Sequence, residues 1–120
     1  MNIKDIQKLQ MEFDKKYFQK YWEEAENIDG KIEFIKDMVI ALTGEMGEFA
    51  NLVKKISRER KITMEVPSKE MMESLKEELI DCFIYIIILS NILEVDIEKE
   101  YLKKTELNHQ RFKKYIKKIK

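Results

Sequence analysis

The sequence predicts an all-α domain of four helices in a bundle-like arrangement, and three observations carry that prediction. Three Gly and one Pro in 120 residues are too few turn formers for a many-stranded fold. Apolar residues recur three or four apart through long stretches, which is the spacing of a helix stripe. Polar residues suited to capping stand where those stretches begin.

The first helix is expected over residues 3–27, with Asn2 as N-cap and Ile3, Ile6, Leu9, Phe13, Tyr17 and Tyr21 on one stripe. Asn27 to Gly30 is expected to end it, because Gly accepts the left-handed conformation that closes a helix. The second helix is expected over 31–59, with Ile35, Met38, Leu42, Phe49, Leu52, Val53 and Ile56 as its apolar face. The stretch 58–68 mixes charge with the single proline, Pro67, and reads as a loop. Ser68 then caps a third helix over 68–93, and Asp96 a fourth over 96–118. The third helix is apolar on every side between Leu79 and Leu93. In so small a domain such a helix calls for a second chain to cover it, so the expected assembly is a homodimer or homotetramer joined through it.

Composition narrows the function. With 23 basic and 23 acidic residues the formal charge is zero, which removes the broad cationic field of a non-specific nucleic-acid binder. The Lys-rich end, Lys113 to Lys120, reads as a complement to the helix dipole and a solubilising tail. The most apolar stretch is too short to span a bilayer and carries Asp81, and the first residues lack the apolar core of a signal peptide. The expectation is a single cytoplasmic domain without membrane contact. One cysteine, Cys82, excludes a disulfide within the chain and reads as a buried, inert thiol.

Five acidic pairs stand three residues apart, and helix phase separates them. Taking Glu45 as zero at about 100° per residue, Met38 and Ile56 lie at about 20° and Leu52 at about −20°, so Glu45 falls inside the apolar face with Glu48 about 60° away on its border. Taking Glu78 as zero, Met71 and Leu89 lie at about 20° and Tyr85 at about −20°, with Asp81 again about 60° to one side. Two successive helices therefore repeat one pattern, whereas Glu23/Glu26, Glu26/Asp29 and Glu70/Glu73 lie among polar neighbours or at a helix end. Converging buried carboxylates repel each other and are neutralised unless a cation sits among them. Oxygen ligands without His or Cys favour Mg²⁺, with Mn²⁺ as a substitute. The competing reading pairs each acid with Lys55, Lys76 or another base.

Gly44 and Gly47 lie inside the second helix, each at a cost of about 1 kcal/mol relative to Ala. They read either as a notch for a neighbouring helix or as a place where a ligand approaches. On the fourth helix Lys104, Asn108, Arg111 and Tyr115 share a stripe about 60° wide, a set of donors suited to phosphate oxygens.

These residues resemble the MazG-like, all-α nucleoside triphosphate pyrophosphohydrolases, marked by ExxE on one helix and ExxD on the next. Here the motifs are Glu45-Met-Gly-Glu48 and Glu78-Leu-Ile-Asp81, followed by a Lys104, Asn108, Arg111 segment on the last helix. The likeness spans about residues 35–112. It implies a MazG-type fold, cleavage between the α and β phosphates of a nucleoside triphosphate, and Mg²⁺ held by Glu45, Glu48, Glu78 and Asp81, one of which also orients or deprotonates the attacking water. It implies further that Lys104, Asn108 and Arg111 hold phosphate oxygens. Tyr85 matches a nucleotide-contacting tyrosine of dCTP pyrophosphatase-like members, while Lys55 stands where those members carry a tryptophan, a departure from their pattern. Trp22 is the remaining candidate for stacking on a base, against a reading as core. Two other functions compete. Glu106 and His109 form an ExxH element of the kind di-iron carboxylate bundles use twice, although Lys113 and Lys117 share their face. A non-catalytic helical interaction module would keep the bundle without turnover.

Overall fold

The computed structural model describes residues 1–119, with side chains described as far as Ile116; the end of the Lys-rich tail lies outside the described residues. The all-α expectation holds: the described residues contain five helices and no strand, and none of the helices is long and apolar enough to cross a membrane. They are α1 (Ile3–Tyr17), α2 (Gln19–Glu24), α3 (Ile28–Thr63), α4 (Lys69–Ile92) and α5 (Ile97–Ile119).

The helix starts follow the capping chemistry. Asn2 accepts from the Asp5 backbone N–H at 3.0 Å while Asp5 accepts in return from that of Asn2 at 2.9 Å, a reciprocal capping box. Ser68 caps α4 by accepting from Met71 N at 3.1 Å, and the Asp96 carboxylate accepts from Lys99 N at 3.2 Å. Left-handed residues close the two long helices: Met64 at φ 59° after α3 and Glu94 at φ 56° after α4.

The structure corrects three expectations. The first helix is not continuous: Phe18, at φ −131° and ψ 38°, separates α1 from α2. That bend lets Tyr21 stack on Phe34 at 5.0 Å and Trp22 meet the same ring edge-on at 5.2 Å. Asn27 and Gly30 do not end a helix but begin one, because the Asn27 side chain accepts from Gly30 N at 2.8 Å and caps α3. Gly30 has no positive φ. It is required by space, since a Cβ there would collide with the backbone carbonyl of Glu24. Finally, α3 runs on to Thr63, so only residues 64–68 form the loop.

The five helices do not close into a four-helix bundle within one chain. α3 and α4 form an antiparallel hairpin: Phe34 packs with Ile88 and Ile92, Glu45 meets Glu78, and Ile56 shares a groove with Met71. α1 lies across α4, while α5 makes its main contact with α1. The join between them is polar. Gln7 donates from Nε2 to Ser90 Oγ at 3.1 Å and to the Val95 carbonyl at 2.8 Å, and its Oε1 accepts from Ile97 N at 3.3 Å. Asn91 donates to the Gln7 carbonyl at 3.0 Å, and Lys4 pairs with Asp96 at 3.5 Å. The face of α4 expected to be buried all round is covered on one side only: Cys82, Ile87, Ile88 and Ile92 are buried, whereas Leu79, Ile80, Phe83 and Ile86 are exposed.

Candidate active site

The helix phases inferred from sequence bring three of the four motif acids together. One carboxylate oxygen each from Glu45 on α3 and from Glu78 and Asp81 on α4 lie within 4.8 Å of one another. All three residues are half-buried; Glu48 is exposed and stays outside the group.

The electrostatics of the cluster are unfavourable as they stand. Oε2 of both Glu45 and Glu78 is buried with no hydrogen-bond partner. Burial first, then the neighbouring Glu45 carboxyl and the charges of Glu48, Glu45 and Asp81, push the Glu78 carboxyl up to about 7. The same burial, with Glu45, Glu78 and Asp81 as secondary causes, pushes up the buried Cys82 thiol. Pairing with a base does not relieve the strain. Lys76 pairs instead with Glu73 at 3.3 Å, Lys55 is exposed, and no ion pair among the described residues involves a motif acid. Orphaned, converging carboxylate oxygens with no nitrogen or sulfur donor are a set that a hard divalent cation fits.

Beside the cluster lies a cavity of about 380 Å³, lined by Glu45, Asp81 and Tyr85 and walled by Phe13, Phe18, Tyr21 and Phe34. Its size and apolar lining with a few polar groups suit a small molecule. α1 contributes Gln10 and Asp14 to the same lining. Asp14 is only 3 % exposed, the single carboxylate buried that deeply among the described residues. Its Oδ1 accepts from Gln10 Nε2 at 2.9 Å, while Oδ2 has no partner. Burial raises its carboxyl above the ordinary range, opposed by the Gln10 hydrogen bond. Sequence reasoning placed Leu9, Phe13 and Tyr17 on the inner stripe of this helix, yet they are half or more exposed, and Asp14 faces inward. At about 20° from Ile3, Asp14 lies just beyond the border of that predicted stripe, unlike Glu45, which lies within its own.

The remaining candidates fall elsewhere. Trp22 packs against the Phe34 core beneath the Lys15 ammonium and does not line the cavity, because the bend at Phe18 turns it onto that ring. Lys55 lies on the outer side of α3, away from the cavity. Lys104, Asn108, Arg111 and Tyr115 project with α5 and do not reach the acids of their own chain. Gly44 and Gly47 face open space, so no helix of the same chain packs in their notch. Glu106 accepts from Gln110 at 3.0 Å, and neither it nor His109 belongs to a group of converging metal ligands among the described residues.

A family model described as dUTPase matches residues 56–115, half of the chain. The chain belongs to that family. The match takes in Glu78, Asp81 and most of α5, and the fold supplies Glu45 from outside it. Membership makes this an all-α domain of nucleotide-hydrolase type. No curated protein and no solved structure matches the chain.

Proposed function

We propose that the chain is a MazG-like, Mg²⁺-dependent nucleoside triphosphate pyrophosphohydrolase that cleaves between the α and β phosphates to release a nucleoside monophosphate and pyrophosphate. The observation that carries this reading is the pair of orphaned oxygens on Glu45 and Glu78, set among three converging carboxylates at the edge of a cavity.

Glu45, Glu78 and Asp81 would hold Mg²⁺ or Mn²⁺, with Glu48 at the rim. Bound there, the cation supplies charge neutralisation for the polyphosphate and acidifies coordinated water. The chain's own residues do the rest by position. The cavity walls exclude water from the nucleoside, and Tyr85 offers a ring to its base. A water oxygen attacks the α phosphorus, the bond to the bridging oxygen breaks, pyrophosphate leaves, and one of the four carboxylates accepts the water proton. No side-chain nucleophile is needed, consistent with a cysteine thiol raised by burial.

Lys104, Asn108 and Arg111 would grip phosphate oxygens, and because α5 lies away from the acids of its own chain, a second copy delivers them. The bare face of α4 and the exposed Leu107, Phe112 and Tyr115 on α5 supply apolar surface for that assembly. The test is to incubate the purified protein with a panel of ribo- and deoxynucleoside triphosphates and Mg²⁺ while following pyrophosphate and monophosphate. Release that EDTA abolishes is expected; no release from any nucleotide at micromolar enzyme sinks the reading.

A further inference from the structure

Asp14 lines the aromatic-walled cavity, yet it takes no part in the converging group of acids and offers a ligand no free oxygen. Its Oδ2 is buried without a partner, and its Oδ1 is taken by Gln10 Nε2 at 2.9 Å. A carboxylate so placed costs the fold stability, and its use lies in what it does to Gln10. A glutamine amide has one end that donates and one that accepts, and turning it about exchanges them. An ionised carboxylate settles the choice, because it only accepts: the amide reversed would set its carbonyl oxygen against Oδ1. An asparagine in the same place would serve either end.

The amide so held presents one fixed edge. One N–H is spent on Asp14, while the second N–H and Oε1 of Gln10 have no partner among the described residues, and Oε1 is not sealed from a ligand. Asp14 and Phe34, each 3 % exposed, mark the closed end of the cavity, and the half-exposed Phe13 and Phe18 mark its mouth. Nε2, tied to Asp14, is therefore the deeper end of the amide and its carbonyl the shallower.

We propose that Asp14 is a positioning residue that fixes the Gln10 amide, so that Gln10 donates to a pyrimidine carbonyl at the closed end and accepts from the ring N–H beside it, taking uracil or thymine ahead of cytosine. This rests on the nucleotide reading of the site given above. With its sugar towards the mouth, uracil puts an exocyclic oxygen deepest and a ring N–H next to it. Cytosine reverses both groups, setting an amino group against the Gln10 N–H and a ring lone pair against Oε1. A site built to pair a substrate's hydrogen-bonding edge discriminates strongly against an analogue that leaves its own polar groups unpaired.

The test compares kcat/KM for dUTP and dCTP with Mg²⁺ at about pH 8, above the ordinary carboxylate range, in the wild type, Asp14→Asn and Asp14→Leu. The Asn side chain keeps the shape but accepts either end of the Gln10 amide; the Leu side chain removes the lock and the buried charge together. The wild type should favour dUTP by at least about tenfold, and each substitution should bring that ratio close to parity. A purely structural Asp14 predicts instead a changed melting temperature with the ratio intact. A wild type that favours dCTP, or a ratio that survives in whichever variant folds, overturns the assignment. Calorimetric binding of dUMP and dCMP to the wild type supplies a readout independent of turnover and of the variants' folding. If no triphosphate is hydrolysed, the enzymatic reading falls while this comparison still decides the role of the pair: tighter dUMP supports it, and equal or weaker binding refutes it.

Discussion

Replacing Glu78 by Gln keeps volume and hydrogen-bonding capacity while removing the charge that a cation needs. If the acids hold Mg²⁺, turnover should fall by about a hundredfold or more. Melting temperature without metal should hold or rise, since burial and the surrounding carboxylates all disfavour the charged form. A variant that is destabilised yet fully active would show instead that Glu78 serves the fold. The same residue fixes the sign of a pH effect. Its carboxyl titrates near 4.5 when exposed and about 7 in the folded chain, so the folded state holds the proton more tightly. In the metal-free protein the increment from Glu78 should therefore be complete below about 4.5 and be lost as pH rises towards about 7, with Asp14 acting in the same direction. Mg²⁺ favours the ionised carboxylates, so the rise in melting temperature that it produces should grow across the same window. Melting curves in EDTA and in Mg²⁺ from pH 4.5 to 7 measure both slopes, and a metal-free protein that gains stability over this range contradicts the account.

Helix elements were legible in the sequence wherever local chemistry decides. The side chains of Asn2, Ser68 and Asp96 bond their own first turns, and the phase of Glu45 and Glu78 depends only on helix geometry. The split at Phe18 was not legible, because neither Gly nor Pro marks it and Phe34, the ring that Tyr21 and Trp22 meet after it, is distant in sequence. Asp14 was missed because one acid among 23 has no distinguishing local signal; its burial comes from α1 lying on α4. Gly30 was singled out for the wrong property, backbone freedom rather than absence of a side chain. Gly30→Ala should cost about 1–3 kcal/mol, as overpacking does, whereas Gly44→Ala should stabilise α3 by up to about 1 kcal/mol because its Cβ meets nothing. Thermal melts of the two variants should move in opposite directions. A fall for Gly44→Ala would place a second chain against that notch.

At the scale of the molecule, the radius of gyration is 19.0 Å, against about 14 Å for a compact domain of this length. The excess belongs to a chain that spreads over 52 × 42 × 29 Å and leaves Ile80, Phe83 and Ile86 bare on its most apolar helix. Sedimentation at micromolar concentration should show a dimer or larger assembly. Ile86→Glu should yield monomers whose KM rises, since the donors on α5 would no longer be delivered by a partner. Monomeric wild-type protein with full activity would remove the second copy from the site.

The polar clasp around Gln7 has a mechanical meaning. α5 has 23 residues and so extends about 34 Å at 1.5 Å per residue, while its hold on the rest of the chain is concentrated at its first turn. Arg111 lies 14 residues beyond Ile97, on an arm of about 21 Å, so a tilt of about 10° at the clasp carries it nearly 4 Å, more than the length of a hydrogen bond. One glutamine side chain and the turn through Glu94 thus act as the bearing of a long lever, and the aim of Lys104, Asn108 and Arg111 is set by a joint that touches none of them.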